Sequence, residues 1–189
     1  MRRFRNSSVD RDAPLQMARH FGSPDKKENV SLMKVEYINP FVSATFRVIE
    51  SVLGICPTKG ELAMRPTVFT TQQCNVLMGV TGQVEGQVIY GMSLITADKI
   101  ASMMLGQPVR TFDQLAASAI GELGNMITGN ASSLLSIQGY QCDITPPSIV
   151  RGSNVKITTL AIPSLVVPIR LPIGEIELTV CLKERCFGG

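Results

Sequence analysis

The sequence predicts an α+β domain in which an antiparallel β-sheet carries helices packed on one face. Three observations lead there. The 189 residues, 44% hydrophobic and 17% charged, suffice to bury one core and are few for two. Helical and strand-like periodicities succeed one another as helix, strands, helix, helix, strands, with the strands in blocks. Within those blocks apolar and polar residues alternate between tight turns, as expected of antiparallel strands with one face on a core.

Asn39-Pro40 reads as an N-cap followed by proline at the first helical position. Phe41, Ala44, Thr45, Val48, Ile49 and Val52 then recur at helical spacing, and Gly54 offers a stop. Residues 61–65 alternate and end at Pro66, which suits a short strand near an edge. Residues 75–94 are rich in Val, Ile, Met and Tyr. Thr81-Gly82 reads there as a hairpin turn, and the later glycines, Gly86 and Gly91, as bulges or bends. Thr96 reads as the cap of a second helix through Leu105, with Asp98 in its first turn and Gly106 beyond. Asp113 opens the longest helix, running to about Ser136. Residues 142–151 contain Pro146-Pro147 and read as an ordered loop. Strands are predicted over 155–161, 165–171 and 175–183, the last two joined by the turn Pro172-Ile173-Gly174. A helix followed by a strand group thus occurs once in each half.

The net charge of +3 lies wholly at the start of the chain. The first 32 residues hold seven Lys and Arg against four Asp and Glu, and the remainder is balanced at eleven of each. A nucleic-acid-binding domain needs a basic stripe on its folded part and aromatic rings for stacking. With no such stripe, no Trp and three Tyr, no nucleic-acid partner is expected. The most apolar stretch, 160–173, is broken by Pro163, Pro168 and Pro172, so no membrane association is expected either. Residues 1–32 lack periodicity, and no apolar core of a signal peptide follows their basic start. They read as a mobile extension ahead of a domain over 33–189, with Met33 as an alternative start. The one histidine, His20, falls in that extension, which leaves no two-histidine metal site and no ordered histidine base. Five widely spaced cysteines without a Cys-x-x-Cys pair read as reduced residues of a cytoplasmic protein. Most are expected to be buried, with Cys186 the one most exposed.

The longest helix carries the most informative pattern. At ~100° per residue from Ser118, Leu115, Ala116, Ala119, Ile120, Leu123, Met126, Ile127 and Leu134 fall on one broad stripe, the predicted core face. Ser118, Glu122 and Asn125 fall at about 0°, 40° and −20°, a polar row facing outward. A solvated helix face usually holds Lys, Arg and Glu, yet no Lys or Arg occurs between Arg110 and Arg151. Gly121, Gly124, Thr128 and Gly129 surround the row instead, and each interior glycine costs about 1 kcal/mol against alanine. Small residues around a carboxylate and an amide would make a smooth surface that another backbone could approach. A docking surface and an ordinary solvated face both fit at this point.

Ser118-x-x-x-Glu122-x-x-Asn125, set in SAIGELGNMITGNASSLL, resembles the signature of the CheC/CheX/FliY family of chemotaxis phosphatases. The likeness runs from Met33 through KVEYINPF, the ITPPSIVRG segment at 144–152 and GEIELTV near the end. Family members with two active sites repeat the motif on the first helix. Here Leu53 stands three places after Glu50, where the motif has Asn, which implies one site and a closer match to CheX than to CheC or FliY. No FliN-like stretch follows within the 189 residues.

The resemblance implies a CheC-like fold and a phosphatase acting on a phosphorylated CheY-type response regulator. Water would attack the aspartyl phosphate in line, with Mg²⁺ held by the regulator and no metal or other cofactor bound by this chain. Asn125, with a donor and an acceptor on a short stem, would fix that water. Glu122 is implied to pair with the regulator's active-site lysine. Ser118, Gly121, Gly124, Thr128 and Gly129 are the expected partner-binding surface. A homodimer is expected, both from the resemblance and because an unpaired sheet edge is a template for a second chain. The competing reading is a non-catalytic module that binds a regulator or flagellar-motor component through the same helix face; such a binder has no need of Asn125.

Overall fold

Helix α1 (Val35–Leu53) begins ahead of Pro40 rather than at it. Tyr37, Ile38 and Phe41 are all buried, so the apolar stripe continues upstream of the proline and burial carries the helix through it. The missing proline N–H frees only the carbonyl of Glu36, an exposed residue in the first turn. Gly54 ends the helix as expected, at φ 65°, its N–H reaching the Glu50 carbonyl at 3.0 Å. The computed structural model describes residues 35–159 and 163–185. The extension 1–32 with His20, the end of the strand expected over 155–161, and Cys186 lie outside the described residues.

After α1 come β1 (Thr58–Lys59), β2 (Ala63–Arg65), β3 (Val68–Thr70), β4 (Cys74–Gly82), β5 (Val84–Met92), α2 (Leu94–Leu105) and α3 (Gln114–Ile137). The chain continues with β6 (Cys142–Ile144), β7 (Ser148–Arg151), β8 (Lys156–Thr158), β9 (Ser164–Leu171) and β10 (Gly174–Glu184). The main sheet runs β1-β9-β10-β5-β4-β6, with β2 also on β9 and β7 also on β4. Every pairing is antiparallel. One face, including Val76, Met78 and Val80 of β4, Val88 and Tyr90 of β5, and Leu178, Val180 and Leu182 of β10, shares a core with the three helices. The α+β architecture with helices on that face is the one expected. The opposite face is covered by a feature the sequence did not signal: β3 and β8 pair as a separate ribbon whose Phe69 and Ile157 pack on Ile89 and Leu77.

Several local expectations shift. The hairpin turn centres on Gln83, one residue beyond Thr81-Gly82, because Val80 pairs with Gly86. The register of β5 with β4 and with β10 runs unbroken, so Gly86 and Gly91 are places of close approach rather than bulges. At Gly86 (φ 150°) a Cβ would strike the Cys181 carbonyl. The cap of α2 is Ser93, whose Oγ accepts from the Thr96 N–H at 3.1 Å; Thr96 lies inside the helix with its hydroxyl against that of Ser93, and Asp98 lies beyond the first turn. Residues 142–151 form two strands on β4 instead of a loop, separated at Thr145-Pro146-Pro147. Thr145 bridges the gap: its N–H donates to the Gly79 carbonyl (3.0 Å) and its hydroxyl accepts from the Gly79 N–H (2.8 Å).

Candidate active site

Helix α3 is fixed at its start, centre and end. Asp113 caps it, accepting from the Ala116 N–H at 2.8 Å. Just ahead of the cap, the Arg151 guanidinium donates to the Phe112 carbonyl at 2.6 Å and lies 5.0 Å from the Phe112 ring centre. At the far end the Ser132 hydroxyl donates to the Cys142 carbonyl at 2.8 Å. Ala116, Ala119, Ile120, Leu123, Ile127, Ala131 and Leu135 are buried. Leu115, placed on the core stripe by periodicity, is instead 51% exposed. It lines a cleft of about 290 Å³ between α2 and α3, with Leu105, Val109, Arg110 and Asp113.

The polar row faces outward: Ser118 and Glu122 are exposed and Asn125 is half-buried. Glu122 and Asn125 stand one turn apart. Glu122 belongs to none of the ion pairs among the described residues, which join Arg65 to Glu177, Arg170 to Glu175, and Lys183 and Arg185 to Glu85. The Asn125 amide engages no other described residue, whereas that of Asn130 on the same helix donates to the Met126 carbonyl at 2.8 Å.

The small residues are arranged differently from the surface expected of them. Gly124 is buried on the sheet, where a Cβ would lie 2.7 Å from Val76 Cγ1. Thr128 is fully buried, its hydroxyl 2.9 Å from that of Tyr90 and 2.7 Å from the Gly124 carbonyl. Gly121 is buried against Pro147 and Ile149, at ordinary contact distance. Gly129 alone of the four is half-exposed, beside Ile144. Gly124 and Thr128 therefore seat the helix; of the predicted row and its surround, Leu115, Ser118 and Glu122 are exposed and Asn125 and Gly129 half-exposed, and in the neighbouring segment that brings Ile144 to Gly129 and Pro147 to Gly121, Thr145 and Pro146 are exposed.

Tyr90 was not singled out by sequence reasoning. Its signal is chemical: a tyrosine at a buried strand position needs a partner for its hydroxyl, but nothing local says that the partner is Thr128. Burial pushes the Tyr90 phenol's pKa up, and the Thr128 hydrogen bond lowers it less. Burial likewise pushes the Cys74 thiol up to about 11, against a smaller opposing pull from Arg151, and raises Cys142. Cys56 is exposed. Among the described residues no three of His, Cys, Asp and Glu are grouped to hold a metal ion, and no helix is long and apolar enough to cross a membrane. On α1, Glu50 is exposed like Glu122, but Leu53 is 7% exposed and belongs to the core.

The sequence matches the family described as chemotaxis phosphatase CheX over residues 74–170. It is 36% identical over 131 residues to the CheY-P phosphatase CheX of Thermotoga maritima, covering 69% of this chain and 84% of that protein. The fold is similar to the chemotaxis protein CheX from Desulfovibrio desulfuricans, with TM-score 0.72 and 28% identity, covering 78% of this chain and 99% of the other. It is also similar to CheX in the CheX-CheY-BeF3-Mg²⁺ complex from Borrelia burgdorferi, with TM-score 0.70 and 31% identity over 80% of this chain and 100% of that one.

Proposed function

The chain belongs to the CheX family of chemotaxis phosphatases, and from that premise we propose that it dephosphorylates the aspartyl phosphate of a CheY-type response regulator, with Asn125 placing the attacking water and Glu122 holding the regulator's active-site lysine. The observation that carries the reading is the outward row on α3. On the outward side of α3, one carboxylate and one amide a turn apart are left without partners among the described residues. The Thermotoga relative is a phosphatase of CheY-P, and the Borrelia relative binds CheY carrying BeF3 and Mg²⁺.

The reaction needs positioning more than covalent chemistry. The Asn125 amide accepts a hydrogen from water while its N–H₂ can donate to a phosphoryl oxygen, which orients the water oxygen toward phosphorus. The new P–O bond forms as the bond to the aspartate oxygen breaks; the carboxylate leaves as an anion and inorganic phosphate carries the water oxygen. Mg²⁺ stays with the regulator and this chain contributes no cofactor. Glu122 is anionic and suited to an ammonium group rather than to the phosphoryl group. Ser118 and Gly129 border the contact, with Leu115 as its apolar rim. The setting is the cytoplasm, in keeping with the free thiols of Cys56, Cys74 and Cys142. A homodimer presenting two such rows completes the reading; light scattering should give twice the chain mass of 20.5 kDa, and a monomer mass at micromolar concentration would remove that part.

The test is phosphate release from acetyl-phosphate-charged CheY with and without the protein. Accelerated release supports the phosphatase, and binding without acceleration would make the chain a docking module instead.

A further inference from the structure

We infer that Tyr90 and Thr128 are positioning residues for Asn125, acting through the Gly124 peptide group. The inference rests on the role proposed above for Asn125 and assigns new work to two buried hydroxyls.

The hydrogen bonds have a determined direction. Thr128 Oγ1 lies 2.7 Å from the Gly124 carbonyl oxygen and 2.9 Å from the Tyr90 hydroxyl. A carbonyl can only accept, so the single Thr128 hydroxyl hydrogen goes to Gly124, and the Thr128 oxygen accepts from Tyr90. The chain is Tyr90 O–H to Thr128 O–H to Gly124 C=O. Tyr90 and Thr128 are both buried, where an unmade hydrogen bond is costly and a made one is strong. Burial also holds the Tyr90 proton in place well above neutral pH.

The place where this chain ends is the point of interest. The Gly124 carbonyl belongs to the peptide unit whose nitrogen is that of Asn125. On the same residue the bare α-carbon rests on Val76, with room for no Cβ (2.7 Å to Cγ1), and Tyr90 Cδ2 would lie 3.6 Å from that Cβ. The height of α3 above β4 and its rotation about its own axis are thus both set one residue before Asn125. A side-chain amide rides roughly 5 to 6 Å from the helix axis, so a rotation of about 10° displaces it by about 1 Å. A displacement of that size can cost up to ~10²-fold in a reaction that depends on alignment.

The experiment compares Tyr90→Phe, Thr128→Val and Thr128→Ser with Asn125→Ala as full-length proteins on phosphorylated CheY, with kcat, KM and Tm measured for each. Tyr90→Phe keeps the ring and removes the donor. It should lower kcat about tenfold while KM for the regulator changes less than about twofold, the signature of lost alignment rather than lost docking. Thr128→Val should behave alike, and Thr128→Ser, which keeps the hydroxyl, should restore most of kcat. A role confined to stability would lower Tm and leave kcat intact well below the melting temperature. Unchanged kcat in Tyr90→Phe, or equal kcat in the Thr128→Val and Thr128→Ser variants, overturns the inference. Should Tyr90→Phe fail to fold, the Thr128 pair decides. Undiminished turnover in Asn125→Ala would overturn the underlying reading instead, so the two failures are told apart.

Discussion

Helices α1 and α3 share one member of the motif, the glutamate, and differ in what stands three residues after it. Both turn a glutamate to solvent, Glu50 on α1 and Glu122 on α3. Three residues on, α1 places Leu53 in the core, and α3 places Asn125 at the rim with its amide engaged by no other described residue. Each helix also has a threonine whose hydroxyl returns to the carbonyl four residues earlier, Thr45 to Phe41 (2.6 Å) and Thr128 to Gly124 (2.7 Å). Only Thr128 is met by a tyrosine from the sheet. The difference lies at the third position: in α1 it contributes to packing, and in α3 it is left half-buried, open to the role proposed for Asn125. An exposed glutamate on a helix carries no function by itself.

Substitutions on the two helices should separate accordingly. The largest effect is expected from Asn125→Ala, which should still bind phosphorylated regulator yet turn it over about 10²-fold more slowly; near-normal phosphate release would erase the distinction between the helices. Glu122→Ala should lower kcat/KM about tenfold, mainly through KM, because it removes one member of a charge pair across the interface; titration of the regulator's binding reads this directly. Leu53→Asn, which writes the Glu-x-x-Asn spacing into α1, should create no second site and cost roughly 2 to 4 kcal/mol, since its amide would replace buried leucine in the core; chemical denaturation measures the loss, and a rise in turnover per chain would refute the comparison. Glu50→Ala should leave turnover unchanged within assay error, completing the contrast with Glu122.

Legibility in the sequence followed how local each signal was. The bounds of α3 could be read almost to the residue, because Asp113 caps it and the apolar spacing is long. The β9–β10 hairpin was equally plain, with alternating strands on either side of Pro172-Ile173. Where two residues offered the same local chemistry, tertiary burial chose: Ser93 rather than Thr96 caps α2, and Tyr37 and Phe41 carry α1 through Pro40. The strands β6 and β7 were hidden by Pro146-Pro147, and their pairing depends on β4, sixty or more residues away. The row Ser118, Glu122 and Asn125 was legible because periodicity alone turns it away from the core. The orientation of Gly124 and Thr128 was not, since they lie at the margin of the stripe and only Val76 and Tyr90, from other strands, decide that they are covered.

The order of the main sheet also bears on how the molecule comes into being. Strand β10 follows every other described strand in sequence, yet it lies between β9 and β5, and β5 in turn borders the β4 floor on which α3 rests. Until residues 174–184 are available, β5 and β9 each lack a neighbour and expose backbone that invites pairing with other chains. The contacts that close the sheet join positions about ninety residues apart, such as Leu178 with Tyr90, so loop closure precedes much of the stabilisation. A nascent chain can therefore form α3 early, while the sheet beneath that helix is completed only once residues 174–184 have been made.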